Sequence, residues 1–170
     1  MNAARLLAPV VSTLAVCAYG LVGRSRLDPD ASWPERLHRR WLPTLAAPAE
    51  RWLPGTAARE VSEDEYALTL PLPPERVDRR LHERGFVRHP LARVKTREGV
   101  ESVGSWVLLD HLLAPRMLHA MLFASEDGGA THVYAHEEYS SLNPLVAYAH
   151  YAGDGQSAAA GVARVRELLA

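Results

Sequence analysis

The chain has 170 residues, enough for one domain with chain to spare, and its 48% hydrophobic and 23% charged residues exclude disorder over most of its length. A single cysteine, Cys17, excludes an intrachain disulfide framework and a four-thiolate zinc site. The net charge of −1 argues against general nucleic-acid affinity, which needs a basic face to displace phosphate counterions.

Charge is unevenly spread. Residues 1–56 hold seven arginines against four carboxylates, whereas residues 57–170 hold twelve basic residues against sixteen acidic ones. The basic portion also carries the longest uncharged run, eighteen residues from Leu6 to Gly23. A helix of that length covers about 27 Å, near the lower limit for crossing a bilayer core. Residues 1–23 are therefore expected to form a transmembrane or signal-anchor segment. A cleaved signal peptide, with Val16-Cys17-Ala18 as small residues near a cleavage site, and a buried core helix are the competing readings. Arg24 and Arg26 follow the run directly and mark a cytoplasmic flank, so a single-pass anchor would leave the rest of the chain in the cytoplasm. Membrane lipid is then the first expected partner.

Residues 24–56 read as an amphipathic helix followed by a linker. Ser32-Trp33-Pro34-Glu35 has the form of a helix start. Trp33, Leu37 and Trp41 then share a face, with Arg36, Arg39 and Arg40 largely off it. That division suits a helix in the headgroup layer, or tryptophans packed on the protein's own core. Pro43, Pro48, Pro54 and Gly55 interrupt regular structure, and Trp52 is a further candidate anchor.

From residue 57 a soluble α+β domain is expected. Tyr66, Leu68, Leu70 and Leu72 alternate as in a half-buried strand. Pro73-Pro74-Glu75 opens a helix with Val77 and Leu81 on its apolar edge and Gly85 as its stop. Leu91–Arg97 and Glu101–Asp110 flank Gly99 as a hairpin. A second hairpin runs Met117–Phe123, turns near Asp127-Gly128 and returns over Thr131–Glu138. Residues 144–151 suggest a brief helix, and Ala158–Leu169 a longer one with Val162, Val165 and Leu168/Leu169 as its stripe. The order β-α-β-β-β-β-α points to a curved antiparallel sheet with helices on one side. It resembles TATA-binding-protein-like and helix-grip domains in topology, which implies no function.

Gly104-Ser105-Trp106, Leu118-His119, Val133-Tyr134-Ala135-His136-Glu137-Glu138 and His150-Tyr151-Ala152-Gly153 together resemble small archaeal proteins over about residues 66–169. That resemblance implies no activity. No Gly-rich phosphate loop, GxSxG elbow or HExxH helix occurs, so these motifs leave the cofactor unknown.

Histidine is the residue class that invites a site. His119, His136 and Glu138 are the candidate catalytic residues, with Trp106, Tyr134 and His150 as candidates for contact with a small ligand. His132 and His136 are about 13 Å apart on a strand and do not form a ligand pair. Across the hairpin, a two-residue turn sets His119 opposite His136, while a three-residue loop sets it opposite Ala135. A slip of one residue thus makes or breaks the pair. Glu138 shares a face with His136 in both registers, and His150 approaches only if the intervening loop folds back. Arg93, Lys95 and Arg97 read as a charged strand face, and Glu63-Asp64-Glu65 as a solvated run.

Two functions follow as expectations. One is a membrane-tethered binding or accessory module, serving a small apolar ligand or a membrane-protein partner. The other is a small enzyme using His119, His136 and Glu138, with or without a divalent metal.

Overall fold

The computed structural model describes Leu14 and residues 60–88 and 95–170. The segment expected at 1–23, apart from Leu14, and the amphipathic helix and linker expected before residue 57 lie outside the described residues. Among the described residues, no helix is long and apolar enough to cross a membrane.

A single 3₁₀ turn, Glu63–Glu65, leads into β1 (Tyr66–Leu70) and α1 (Pro74–Glu83). There follow β2 (Val87–Arg88), β3 (Thr96–Arg97), β4 (Val100–Glu101), β5 (Gly104–Leu108), β6 (Arg116–Ala124) and β7 (Thr131–Tyr139). Two helices close the chain, α2 (Ala147–Ala152) and α3 (Ala158–Leu169). The main sheet has the order β1-β7-β6-β5-β2 with every pair antiparallel, and β3 and β4 form a separate ribbon. The protein is thus α+β with an antiparallel sheet.

Both longer helices cover one face of the sheet. Val77 and Leu81 of α1, with Val162, Val165 and Leu169 of α3, join Trp106, Leu118, Ala120, Leu122, Val133 and Ala135 in one buried core. Burying side chains of this size contributes about 1.5–3 kcal/mol each for the larger aliphatics. Pro74 begins α1, where its missing N–H costs nothing, and Gly85 leaves the helix at φ +85°. Ser157 caps α3 by accepting from the Ala160 N–H at 3.3 Å.

Alternation sends the intervening residues to the opposite face. Ser105 and Val107 of β5, Met117, His119, Met121 and Phe123 of β6, and Tyr134, His136 and Glu138 of β7 lie there. Part of that face is apolar, with Met121, Phe123, Tyr134 and Val61 buried together.

The strands between α1 and β6 differ from the expected hairpin. β2 has only two residues, too few for a periodic signal, yet it pairs with β5 through Val87 and Val107 and closes one edge of the sheet. The run expected as one strand over Glu101–Asp110 is divided: Val100–Glu101 turns back on β3, and Gly104–Leu108 joins the main sheet. Glu98 and Gly99, both with positive φ, supply the two-residue turn of the β3–β4 ribbon.

Candidate metal centre

The β6–β7 register decides the site. His119 stands opposite His136, Met121 opposite Tyr134 and Phe123 opposite His132. The loop is longer than a two-residue turn. Ser125 and Ala130 still pair by backbone, and the Gly128 N–H donates to the Ser125 carbonyl at 2.9 Å. Because the loop remains centred on Asp127 and Gly128, the cross-strand pairing is the one a two-residue turn would set.

The two imidazoles meet edge to face, with centroids 5.0 Å apart, and both are buried. Glu138, two residues beyond His136 on the same strand face, places Oε1 3.3 Å from His119 Nδ1 and 3.6 Å from His136 Nε2. Its other oxygen, Oε2, is 3.3 Å from His150 Nδ1. One carboxylate is thus bracketed by three histidines.

His150 arrives because the chain after β7 folds back. The Ser140 N–H donates to the Pro115 carbonyl, and Asn143 Oδ1 accepts from the Leu145 N–H just ahead of α2. Beyond α2, Gly153 adopts φ +78°, and Glu137 and Ser157 exchange two backbone hydrogen bonds. His150 Nδ1 also lies 3.0 Å from the Tyr139 carbonyl oxygen.

Each buried imidazole has its remaining nitrogen held by a different element. His119 Nε2 is hydrogen-bonded to Ser105 Oγ of β5 at 2.8 Å. His136 Nδ1 donates to Glu65 Oε1 at 2.5 Å. Glu65 does not behave as part of a solvated run: it is 4% exposed, whereas Glu63 and Asp64 face water. The reason is a local capping box. The Ser62 N–H and hydroxyl both donate to Glu65 Oε2, at 2.8 and 3.0 Å, which turns the carboxylate inward and leaves Oε1 for His136 and for Gln156 Nε2 at 2.9 Å.

Charge follows from these contacts. Burial pushes the Glu65 carboxyl up, but the His136 and Ser62 hydrogen bonds outweigh it and lower the group to about 2. Burial opposes charge on His136 too, yet the Glu138 and Glu65 carboxylates raise it to about 9. In His119 burial wins, and its imidazole is held below its usual value in spite of Glu138. Glu138 is raised by burial and lowered more strongly by His150, His119 and His136, so it stays ionised.

Two buried nitrogens remain without a hydrogen-bond partner, His119 Nδ1 and His136 Nε2, and both face Glu138 Oε1. These three atoms lie within 4.8 Å of one another. A tetrahedral ion with bonds of about 2.0–2.1 Å sets its ligand atoms about 3.3 Å apart. Two sides of the triangle, 3.3 and 3.6 Å, are already close to that spacing. The donor set of two imidazoles and one carboxylate suits a divalent first-row metal.

No family model, curated protein or solved structure matches the chain.

The other candidates are distributed differently. Trp106 lies on the helix-covered face, where its indole N–H donates to Asp78 Oδ1 at 2.5 Å and the Arg88 guanidinium stacks over its ring. Tyr134 lies on the opposite face, against Phe123 and Tyr66, with Arg97 over its ring. The sheet separates them, so Trp106 and Tyr134 do not line one pocket. His150 joins the histidine cluster instead. His132 Nδ1 is hydrogen-bonded to Thr69 Oγ1 at 2.8 Å. Arg93 lies outside the described residues.

Glu65 and Ser105 are the site residues that sequence reasoning missed. The Ser62-x-x-Glu65 spacing was a visible capping-box signal, though it does not say that the carboxylate will be buried. Ser105, a hydroxyl among the apolar residues of a strand, was the visible sign of a partner for His119 from β5.

Proposed function

We propose that this chain is a membrane-tethered metal-binding domain in which His119 Nδ1, His136 Nε2 and Glu138 Oε1 hold one divalent transition-metal ion. The observation that carries the reading is the pair of buried, unpartnered imidazole nitrogens aimed at one carboxylate oxygen, each ring already hydrogen-bonded through its other nitrogen. These nitrogens reach Glu138 Oε1 only as long contacts of 3.3 and 3.6 Å, and a metal ion among the three atoms supplies the closer partner that each lacks. Glu65 fixes the tautomer and orientation of the His136 ring, and Ser105 holds the orientation of the His119 ring, as outer partners of metal-bound histidines do.

Three protein ligands leave a coordination position open, which favours chemistry at the metal over a purely structural ion. The domain is then a small metal-dependent enzyme, and the accessory-module role expected from the sequence is the second reading. The strand order β1-β7-β6-β5-β2 with both longer helices on one face supports a helix-grip-like assignment. The tether rests on the uncharged run from Leu6 to Gly23 and the arginines that follow it, which support a single pass with the domain in the cytoplasm.

Protein purified without an affinity tag, stripped of metal and titrated with zinc or cobalt(II), tests the metal site. One equivalent is expected per chain, with tight binding lost in His119→Ala and His136→Ala variants whose circular dichroism is unchanged. No binding by the folded wild-type chain, or unaltered binding by both variants, overturns the assignment.

A further inference from the structure

The geometry points to Tyr151 as the group that meets a small oxyanion bound at the open position of this metal site. The inference rests on the metal reading and names the class of ligand that the site would take.

Tyr151 is 5% exposed, and its hydroxyl is buried with no hydrogen-bond partner among the described residues. Buried hydroxyls in folded proteins are nearly always paired, so an unpaired one signals an absent partner. Its place in the fold says where that partner belongs. Tyr151 follows His150 on α2, and the two rings meet edge to face with centroids 5.0 Å apart. His150 in turn reaches Glu138 Oε2. The phenol therefore lies beside the His150 ring, near enough to Glu138 for that charge to be felt. Burial, and then the negative charge of Glu138, hold its proton more tightly than usual, so the hydroxyl is available as a donor.

Charge selects an anion. With His119 and His136 neutral as ligands, a divalent ion and the Glu138 carboxylate leave the inner shell with one positive charge. Beyond it, the Glu65 carboxylate is engaged by Ser62, Gln156 and His136, and the positive charge of Lys95 is felt at His119. A singly charged oxygen ligand, such as a carboxylate or a phosphate oxygen, completes that balance. A buried hydroxyl donor that feels the Glu138 charge would stabilise charge on such an oxygen at the open position, as donors do at sites where oxyanions bind or develop.

The test uses the full-length chain in detergent, stripped of metal and loaded with cobalt(II), with the visible d–d bands as readout. Cobalt(II) uptake is measured first, because failure there overturns the metal reading itself, independently of any anion. Acetate and inorganic phosphate are then titrated separately. At least one is expected to shift the bands saturably in the wild-type protein. Tyr151→Phe is expected to weaken that anion about tenfold or more, while cobalt stoichiometry and the anion-free spectrum stay unchanged. A wild-type spectrum indifferent to both anions, or equal anion affinity in Tyr151→Phe, overturns the role of Tyr151 while leaving the metal site standing.

Discussion

Glu65 and His136 lie 71 positions apart in the chain, yet Oε1 of one and Nδ1 of the other meet at 2.5 Å, with side chains 5% and 0% exposed. This contact ties the turn before β1 to the middle of β7 and fixes which nitrogen of His136 turns toward Glu138. It links the stability of the sheet edge to the shape of the site.

Removing Glu65 strands a buried imidazole. Glu65→Ala is expected to destabilise the metal-free protein by about 3–5 kcal/mol, as when one member of a buried ion pair is deleted. Glu65→Gln keeps the shape and a hydrogen-bond acceptor and is expected to cost less. Urea denaturation of both variants measures the difference; equal losses would mean that charge contributes nothing here.

The same pair predicts a pH profile for the metal-free protein. Glu65 falls from an ordinary 4.5 to about 2 on folding, so its contribution is present above pH 4.5 and disappears as pH drops toward 2. His136 rises from 6.5 to about 9, so its contribution is full below pH 6.5 and is lost as pH climbs through 9. Stability due to the pair is therefore greatest between about pH 4.5 and 6.5. Denaturation across the pH range should show that plateau in the wild type; Glu65→Gln should lose the acid limb, while Glu138 keeps part of the alkaline one.

Ser105 touches His119 but offers no ligand atom to the proposed ion. Ser105→Ala is expected to leave one metal per chain and to lower its affinity by about 10–100-fold, through loss of ring orientation. Competition with a chromophoric chelator reads this directly. Undiminished affinity would place Ser105 outside the metal's support.

Gly161 of α3 packs against the β7 backbone: a Cβ there would lie 2.3 Å from His136 Cα and 2.4 Å from its carbonyl carbon. Neither atom belongs to a side chain that could rotate away. Gly161→Ala should therefore separate α3 from β7 and destabilise the protein by about 1–3 kcal/mol or more. Metal affinity should fall with it, because the displaced strand carries both His136 and Glu138. A thermal melt and a zinc titration on one preparation check both effects.

The proposed tether has its own tests. The full-length chain should sediment with membranes and remain there after a carbonate wash, whereas a chain beginning at residue 57 should be recovered in the soluble fraction. Protease added from the cytoplasmic side should cut the domain without permeabilisation. Recovery of the intact chain in the soluble fraction would end the anchor reading, and a protected domain would reverse its orientation.

Where local rules suffice, the sequence was legible. Pro74 with Val77 and Leu81 marks α1, and the stripe Val162, Val165 and Leu169 marks α3 to its last residue. Alternation over β6 and β7 separates Leu118, Ala120 and Leu122 from His119 and Met121. Glu138 shares a face with His136 in both hairpin registers, so that part of the site follows from the two-residue period of a strand. β2 escaped notice because two residues carry no period.

The amino-acid order by itself determined the helices, the long hairpin and the residue types available for chemistry, since each follows from spacing within a few residues. Tertiary structure decided which of those residues meet. It selected the register that pairs His119 with His136, brought Glu65 in from a distant edge, folded the chain after Tyr139 back to deliver His150 and Tyr151, and set Trp106 and Tyr134 on opposite faces. Those outcomes depend on contacts between distant segments, where a one-residue slip or a reversed loop redirects every side chain. Only the register left a local trace, the Asp127-Gly128 turn centre; the other meetings have none.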